Sequence, residues 1–304
     1  MKRSLEVKIG SVKLKNPVMV ASGTFGPEYS QFMDLSELGA YVTKTITLSG
    51  RAGNLPPRIC ETPSGMLNSI GLENKGLEDF INNKIPELNK LKVPLIVSIA
   101  GDEPDEYAKI ARALSKVDSV SAIELNLSCP NVKHGNKVHL TAQDETATYE
   151  TVRAARKATG LTLIAKLSPN VTDIAKIAIS AERAGVDAVS LVNTLIGMAI
   201  DIDKRRPVLG NIIGGLSGPA IKPIALRMVY EVRKKCSLPI IGMGGIMNST
   251  DALEFIMCGA SAVQVGTANF VDPSSTIDII KGIRSYMVKN KISDISELIG
   301  VITR

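Results

Sequence analysis

Short β-branched and aliphatic runs recur eight times along this chain, and longer helical patterns lie between most of them. Strands that are apolar throughout are typical of a parallel sheet buried on both faces. The runs predict strands at Val18–Ala21, Tyr41–Thr45, Leu95–Ile99, Ala122–Leu127, Leu163–Leu167, Ala188–Val192, Ile240–Met243 and Ala262–Val265. The clearest helical patterns are Pro104–Lys116, Glu145–Thr159, Asp173–Ala184, Ala220–Lys235 and Thr250–Cys258.

Strand–helix units in series predict an α/β fold, a closed (β/α)8 TIM barrel that occupies residues 1–304 as a single domain. An open doubly wound sheet is the structural alternative, but no GxGxxG follows the first strand. Two connections, Thr47–Glu73 and Leu195–Ser217, are too long for plain βα loops. Both follow the carboxyl ends of strands, where barrel active sites form. We therefore expect these insertions to cover the site, partly as short hairpins.

The charge balance is basic, with a formal net charge of +6. The densest basic runs, Lys204–Arg206 and Arg233–Lys235, have no neighbouring aromatic platform, so a nucleic-acid role is not expected. The basic excess is interpreted as a solvated surface, which would favour an acidic partner protein. No apolar run approaches the ~20 residues that span a bilayer, and Met1–Glu6 does not open a secretory signal. These features predict a cytoplasmic chain with reduced thiols and no membrane segment.

The strongest local signal is the motif Asn-Leu-Ser-Cys-Pro-Asn at Asn126–Asn131, where the fourth strand ends. Pro130 ends the strand and places Cys129 in a turn at the catalytic face. A thiol there can act as a base or as a nucleophile. The other cysteines lack this context, so they are predicted to be structural. The two histidines are too isolated to form a metal site with Cys129, and no metal is predicted.

Polar side chains interrupt or end several of the apolar strands. Lys44 and Lys166 lie in apolar strands near their carboxyl ends, where a lysine either points into a polar site or extends outward to solvent. Two such lysines favour a site for an anion or an electron-rich ring. Asn68–Leu72 lies in the first insertion, and Asn193–Thr194 ends the sixth strand. Amide and hydroxyl groups recognise planar ligands that are rich in carbonyls, and Lys44 is available for a carboxylate.

Glycines follow the last two strands, at Gly244–Gly245 and Gly266–Thr267. Barrels often bind phosphate with the loops after strands seven and eight and with a helix N-terminus, where bare backbone N–H groups reach the oxygens. Plain tight turns are the alternative, but the repetition after both strands favours phosphate. Leu216–Pro219 precedes a helix and can add to the same cradle.

Taken together and in order, these stretches resemble the dihydroorotate dehydrogenases over essentially the whole chain. The matching stretches are Ala21–Gly23, Lys44–Thr45, Asn68–Leu72, Asn126–Asn131, Lys166–Leu167, Val192–Thr194, Leu216–Pro219, Gly244–Gly245 and Gly266–Thr267. Cysteine in the motif resembles the soluble class of the family. Within that class, Pro57–Asn68, Gly197–Asp201 and Gly214–Pro219 resemble the NAD-linked enzymes. One departure is Asn136, where the family usually has a second glycine.

The resemblance implies oxidation of dihydroorotate to orotate in pyrimidine synthesis, with FMN bound by this chain. It implies that Cys129 takes the C5 proton while hydride leaves C6 for the flavin, and that Lys166 lies against the flavin ring. The implied substrate-binding residues are Lys44, Asn68, Ser69, Ile70, Gly71, Leu72, Asn126, Asn193 and Thr194. The implied FMN-binding residues are Ser22, Lys44, Thr45, Asn126, Lys166, Val192, Gly218, Gly244, Gly245, Gly266 and Thr267.

The NAD-linked class also implies a partner, an electron-transfer subunit with FAD and a 2Fe-2S cluster that passes electrons to NAD. The implied assembly is a heterotetramer of two catalytic and two electron-transfer subunits. The alternatives are a fumarate-linked enzyme of the soluble class, a dihydropyrimidine dehydrogenase-like flavin barrel, and a barrel retained as a non-enzymatic scaffold. Lys44 with Asn68–Leu72 argues against an uncharged ring as substrate, and an intact Cys129 with both strand lysines argues against a scaffold.

Overall fold

In the computed structural model, which describes residues 3–127 and 141–303, eight parallel strands close into a barrel. In chain order they are β1 (Val18–Val20), β2 (Ala40–Val42), β3 (Leu95–Ile99), β4 (Val120–Asn126), β5 (Thr162–Lys166), β6 (Ala188–Leu191), β7 (Ile240–Met243) and β8 (Ala262–Val265). The barrel closes where β8 pairs with β1, with Val263 opposite Val18. All eight predicted strands overlap these segments, and the predicted fold class is confirmed.

Helices connect successive strands on the outside of the barrel. The longer ones are α1 (Pro104–Leu114), α2 (Glu145–Ala158), α3 (Ile174–Ala184), α4 (Lys222–Lys235), α5 (Ser249–Met257) and α6 (Ser275–Lys289). Sequence signals fix their ends, as α3 illustrates. The Asp173 side chain caps its first turn by accepting from the Ala175 N–H, and Gly185 ends it at a φ of 102°. Isoleucine and alanine form the buried face of α3.

Two parts of the helical layer were not among the predicted segments. Helix α6 follows β8 and packs against α5 and β1. After β2 the chain forms an irregular helical segment that includes a π-helical turn at Phe80–Lys84. None of the described helices is long and apolar enough to cross a bilayer.

Each long insertion forms an antiparallel pair of strands, as expected, and the two pairs join into one sheet. The first contributes the strands Ile59–Thr62 and Gly65–Asn68, and the second contributes Leu195–Met198 and Ile213–Ser217. Gly215 pairs with Asn68, so the two insertions join into a four-stranded antiparallel sheet. This sheet lies beside the carboxyl ends of the barrel strands, as the sequence predicted for the insertions.

The opposite end of the barrel is closed by an N-terminal hairpin, Val7–Ile9 with Val12–Leu14. The Ser11 N–H donates to Thr162 Oγ1 at 3.0 Å, which ties the hairpin to the first residue of β5. Most of the core is aliphatic. The strands nevertheless carry a set of buried polar side chains, namely Ser98, Glu124, Asn126, Thr162, Lys166, Ser190 and Gln264.

Candidate active site

A cavity of about 350 Å³ opens at the carboxyl ends of the barrel strands, a volume within the ~300–1,000 Å³ usual for small-molecule sites. Both insertions contribute to its walls. The site residues predicted from sequence that line it are Ser22, Lys44, Thr45, Asn68, Ile70, Gly71, Leu72, Asn126, Lys166, Val192, Asn193, Thr194, Gly218, Gly244, Gly245, Gly266 and Thr267.

Two predicted site residues are not in this set. Cys129 lies outside the described residues, so its catalytic role stays a prediction. Ser69 is buried behind the wall, where the Asn54 amide donates to its carbonyl oxygen at 3.2 Å and lies 3.0 Å from its hydroxyl. Ser69 therefore supports the insertion from behind the lining residues, and its role in substrate binding stays a prediction. Lining residues that the prediction omitted include Glu73, Ile221, Met243, Ile246, Gln264 and Phe270.

The glycines after β7 have a backbone that a side chain would disrupt. Gly244 and Gly245 have φ values of 118° and 80°. A Cβ at Gly245 would stand 2.9 Å from the carbonyl oxygen of Gly218 and 2.8 Å from the Cβ of Lys222. The chain therefore passes closely by the start of α4 with its backbone exposed to the cavity. Backbone N–H groups presented in this way suit a phosphate group.

A buried carboxylate fixes the loop that follows β7. Asp251, in the first turn of α5, accepts from the backbone N–H of Met247 at 2.9 Å and from that of Asn248 at 3.3 Å. The Lys222 ammonium donates to it at 2.6 Å. Hydrogen bonds to Asp251 and Glu254 raise the pKa of Lys222. Asp251 thus ties the glycine loop to the beginnings of both α4 and α5.

Hydrogen-bonded side chains form the wall of the cavity across from these glycines, which we call the amide wall. Thr45 Oγ1 lies 2.9 Å from Ser98 Oγ and 3.2 Å from Ser22 Oγ. The Asn126 amide donates to Thr45 at 3.2 Å, and Asn193 Nδ2 lies 3.5 Å from Asn126 Oδ1. These contacts orient the amides before any ligand binds. A wall of oriented amides and hydroxyls suits a planar ligand with carbonyl and N–H groups.

The two predicted lysines lie at different depths. Lys44 follows the end of β2 and is exposed at the cavity, whereas Lys166 is the last residue of β5 and is only 6% exposed. Within residues 3–127 and 141–303, neither ammonium donates a hydrogen bond, and Lys166 has an ion-pair partner 3.7 Å away in Glu124. Each lysine therefore has donors available for an anionic or electron-rich ligand. No group of three or more potential metal ligands occurs among the described residues.

The fold and the site together define a class of protein, a barrel enzyme whose cavity brings together a glycine-lined region, two lysines and an amide wall. The chain belongs to the dihydroorotate dehydrogenase family, because the family model described as dihydroorotate dehydrogenase matches residues 4–287. This finding confirms the family and the enzyme class, an oxidoreductase, that the sequence predicted.

Curated relatives cover nearly the whole chain. A protein of Trichlorobacter lovleyi is 55% identical over 304 residues, 99% of this chain and 99% of its own length. A protein of Geotalea daltonii is 54% identical over 303 residues with the same coverage. Both are named "Dihydroorotate dehydrogenase B (NAD(+)), catalytic subunit". A crystal structure of a DHODH from Eimeria tenella in complex with ferulenol is 23% identical, with a TM-score of 0.82 over 99% of this chain and 89% of that one, and supports the fold.

Proposed function

We propose that this chain is an FMN-carrying catalytic subunit that oxidises dihydroorotate to orotate in pyrimidine synthesis. The observation that carries the proposal is a single cavity in which a glycine-lined region, an amide wall and the buried ammonium of Lys166 face one another. Family membership supports the reaction. We further propose that residues 1–304 form one catalytic domain.

The residues of the cavity fit FMN. The backbone of Gly244, Gly245 and Gly266 would bind the phosphate, because no side chain stands between it and the cavity. Lys166 would stabilise negative charge on the ring, since its ammonium donates no hydrogen bond to any described residue and has little contact with water. When bound, FMN supplies the acceptor for the hydride that leaves C6 of dihydroorotate.

The substrate would bind between the exposed lysine and the amide wall. Lys44 would pair with the carboxylate, while Asn68, Asn126 and Asn193 would hydrogen-bond to the carbonyl and N–H groups of the ring. Cys129 would take the C5 proton, which lies α to a carbonyl. Cys129 is three residues beyond Asn126, the last residue of β4, which itself lines the cavity.

We propose NAD as the final acceptor, reached through a partner subunit. The curated relatives are named as NAD(+) enzymes and as catalytic subunits, which favours NAD over fumarate and implies a second subunit. An FAD and 2Fe-2S electron-transfer subunit, assembled with this chain as a heterotetramer in the cytoplasm, is the partner that the sequence resemblance implies.

Anaerobic spectroscopy of the purified chain tests this function. We expect a yellow protein whose flavin absorbance is bleached by dihydroorotate, with one orotate formed per flavin reduced. Lys44→Gln should weaken dihydroorotate binding strongly because it removes the charge facing the carboxylate, whereas Lys289→Gln, at an exposed position on α6, should not. A folded, flavin-loaded chain that dihydroorotate does not bleach would rule the proposal out.

A further inference from the structure

A glutamate lies in the centre of the barrel. Glu124 on β4 is fully buried, and its Oε2 accepts from Gln264 Nε2 on β8 at 2.8 Å and from Ser190 Oγ on β6 at 3.0 Å. In the closed strand order, β4 and β8 are four positions apart and therefore stand opposite each other. The contact between Glu124 and Gln264 therefore crosses the barrel interior, which places the carboxylate inside the barrel and away from the helices.

This carboxylate lies directly behind the cavity. Lys166 and Gln264 both line the cavity and both approach Glu124, which does not line it. Lys166 Nζ is 3.7 Å from Glu124 Oε1, and the two side chains are 7% and 0% exposed. An unpaired buried carboxylate is costly. Among the described residues, Lys166 is the one cation within ion-pair distance of it.

Two acceptor oxygens of Glu124 and Gln264 have no hydrogen-bond donor among the described residues. Glu124 Oε1 and Gln264 Oε1 accept no hydrogen bond from any described residue. The orientation of the Gln264 amide is not arbitrary, because the reversed amide would direct its oxygen at the carboxylate. The separation of 3.7 Å is longer than a hydrogen bond, so Lys166 is held by charge while its N–H donors stay available to the cavity.

We propose that Glu124 is a positioning residue that, supported by Ser190 and Gln264, holds the Lys166 ammonium at the cavity floor and offsets part of its charge. The strength with which the cavity stabilises negative charge on a bound ring would then depend on the pair and not on the lysine alone. This inference rests on the proposed function, in which that ring is the flavin of FMN. It assigns a role in the site to a residue that does not reach the ligand.

The midpoint potential of the bound flavin measures this effect without reference to turnover. Glu124→Gln keeps the size of the side chain and an acceptor for Ser190, but it removes the negative charge. The uncompensated Lys166 then stabilises the reduced, more negative flavin, so the potential should become more positive. We expect roughly a tenfold change in the ratio of reduced to oxidised flavin, which corresponds to about 30 mV for a two-electron couple.

Four variants control for a purely structural role. Lys166→Gln should shift the potential in the negative direction, and the double variant should fall between the two single variants. Ser190→Ala removes a hydrogen bond but leaves both charges. Its ratio of reduced to oxidised flavin should therefore stay within about twofold of that of the parent. Glu124→Asp keeps the negative charge but moves it away from Lys166, so it should give a smaller positive shift of the potential. This variant replaces Glu124→Gln in the test if Glu124→Gln does not fold. An unchanged potential in both Glu124 variants would overturn the proposal.

A second measurement does not need the flavin. Removing one member of a buried ion pair leaves the other uncompensated, so each single variant should unfold at a lower urea concentration than the double variant. If the parent chain bound no FMN, the proposed function would fail while this comparison still decided whether Glu124 and Lys166 form a coupled pair. Additive losses from the two substitutions would contradict the pairing.

Discussion

At the scale of single residues, two glycines of the cavity differ in what a side chain would cost. Gly245 has a φ of 80°, and a Cβ there would meet the Gly218 carbonyl oxygen at 2.9 Å. Gly266 lies outside the left-handed region, and a Cβ there would stand 3.5 Å from that of Ala21, an ordinary contact. Only the first glycine is required by the backbone itself.

Gly245→Ala should therefore lower the free energy of unfolding by at least about 1–2 kcal/mol, the usual cost of a left-handed residue with a Cβ. Gly266→Ala should change it by less than about 1 kcal/mol. Urea denaturation of both variants, followed by circular dichroism, makes the comparison. Equal stability of the two variants would show that the close approach of Gly245 to Gly218 is not maintained in solution.

Cys129→Ser tests the proposed base. Serine preserves the volume but has a far higher pKa than cysteine, so proton removal from C5 near neutral pH should slow steeply. A positioned general base contributes roughly 10²–10⁴-fold, and stopped-flow bleaching of the flavin by dihydroorotate should slow by that order. Orotate affinity should change little, and the variant should regain rate as pH rises, more than the parent. A rate within a few-fold of the parent across pH would assign Cys129 a structural role.

Much of the site could be predicted because charged and polar residues in apolar strands are conspicuous. Lys166 is predicted from this signal. Glu124 and Gln264 carry it as well, within Ala-Ile-Glu-Leu and Ala-Val-Gln-Val, although neither is among the predicted site residues. What the sequence cannot give is the contact between them, since it crosses the barrel from β4 to β8. Ser69 illustrates the opposite case, a residue that belongs to a predicted site stretch but is not among the lining residues. Its neighbours line the cavity, while its own side chain packs behind them.

At the scale of elements, the loop after β7 keeps its shape because Asp251 joins it to two helices. Asp251→Asn would weaken the bonds from Met247 N–H and Lys222 together. Because hydrogen bonds to charged groups contribute about 1.5–3 kcal/mol, we expect a loss of about 2 kcal/mol in urea denaturation. Lys281→Gln breaks an exposed pair with Asp278 instead and should cost no more than about 0.5 kcal/mol. Similar losses in both variants would contradict the anchoring role of Asp251.

The ion pair between Lys222 and Asp251 makes the stability of the fold depend on pH at high pH. Bonds to Asp251 and Glu254 raise the pKa of Lys222 above its ordinary value. The contribution of the pair to stability is therefore complete below the unfolded-state pKa of lysine, about 10.4, and is lost as pH rises through the raised value. The parent should lose more stability than Asp251→Asn between about pH 9 and pH 11, a range that brackets the lysine pKa. Urea denaturation midpoints of both proteins at each pH would measure this difference. Parallel losses would count against the pair.

Elements with a local pattern were predictable, and those defined by long-range pairing were not. Short apolar runs and helical spacing predict the eight barrel strands and five of the longer helices of the described residues. Helix α6 carries a comparable buried face that includes Ile277, Ile280 and Ile283, so its local pattern is also sufficient to predict it. The joined insertion sheet is different, because Asn68 pairs with Gly215 from a distant part of the chain. No local pattern specifies that register.

At the scale of the whole molecule, electron delivery to NAD is expected to need a second protein. The chain has no nucleotide fingerprint after its first strand, and the proposed FMN would occupy the cavity at the barrel mouth. The isolated chain should therefore reduce an artificial dye with dihydroorotate but should reduce NAD poorly. Parallel assays with the dye and with NAD compare the two acceptors. Efficient NAD reduction by the pure chain would contradict the need for a partner.

The most direct test of the account is a crystal structure of the chain with FMN and orotate. We predict the phosphate at the backbone of Gly244, Gly245 and Gly266, the flavin ring within hydrogen-bond distance of Lys166 Nζ, and the orotate carboxylate beside Lys44. Density for the flavin phosphate at any other position, or a ring that does not approach Lys166, would contradict the central claim that this cavity is a flavin site for dihydroorotate oxidation.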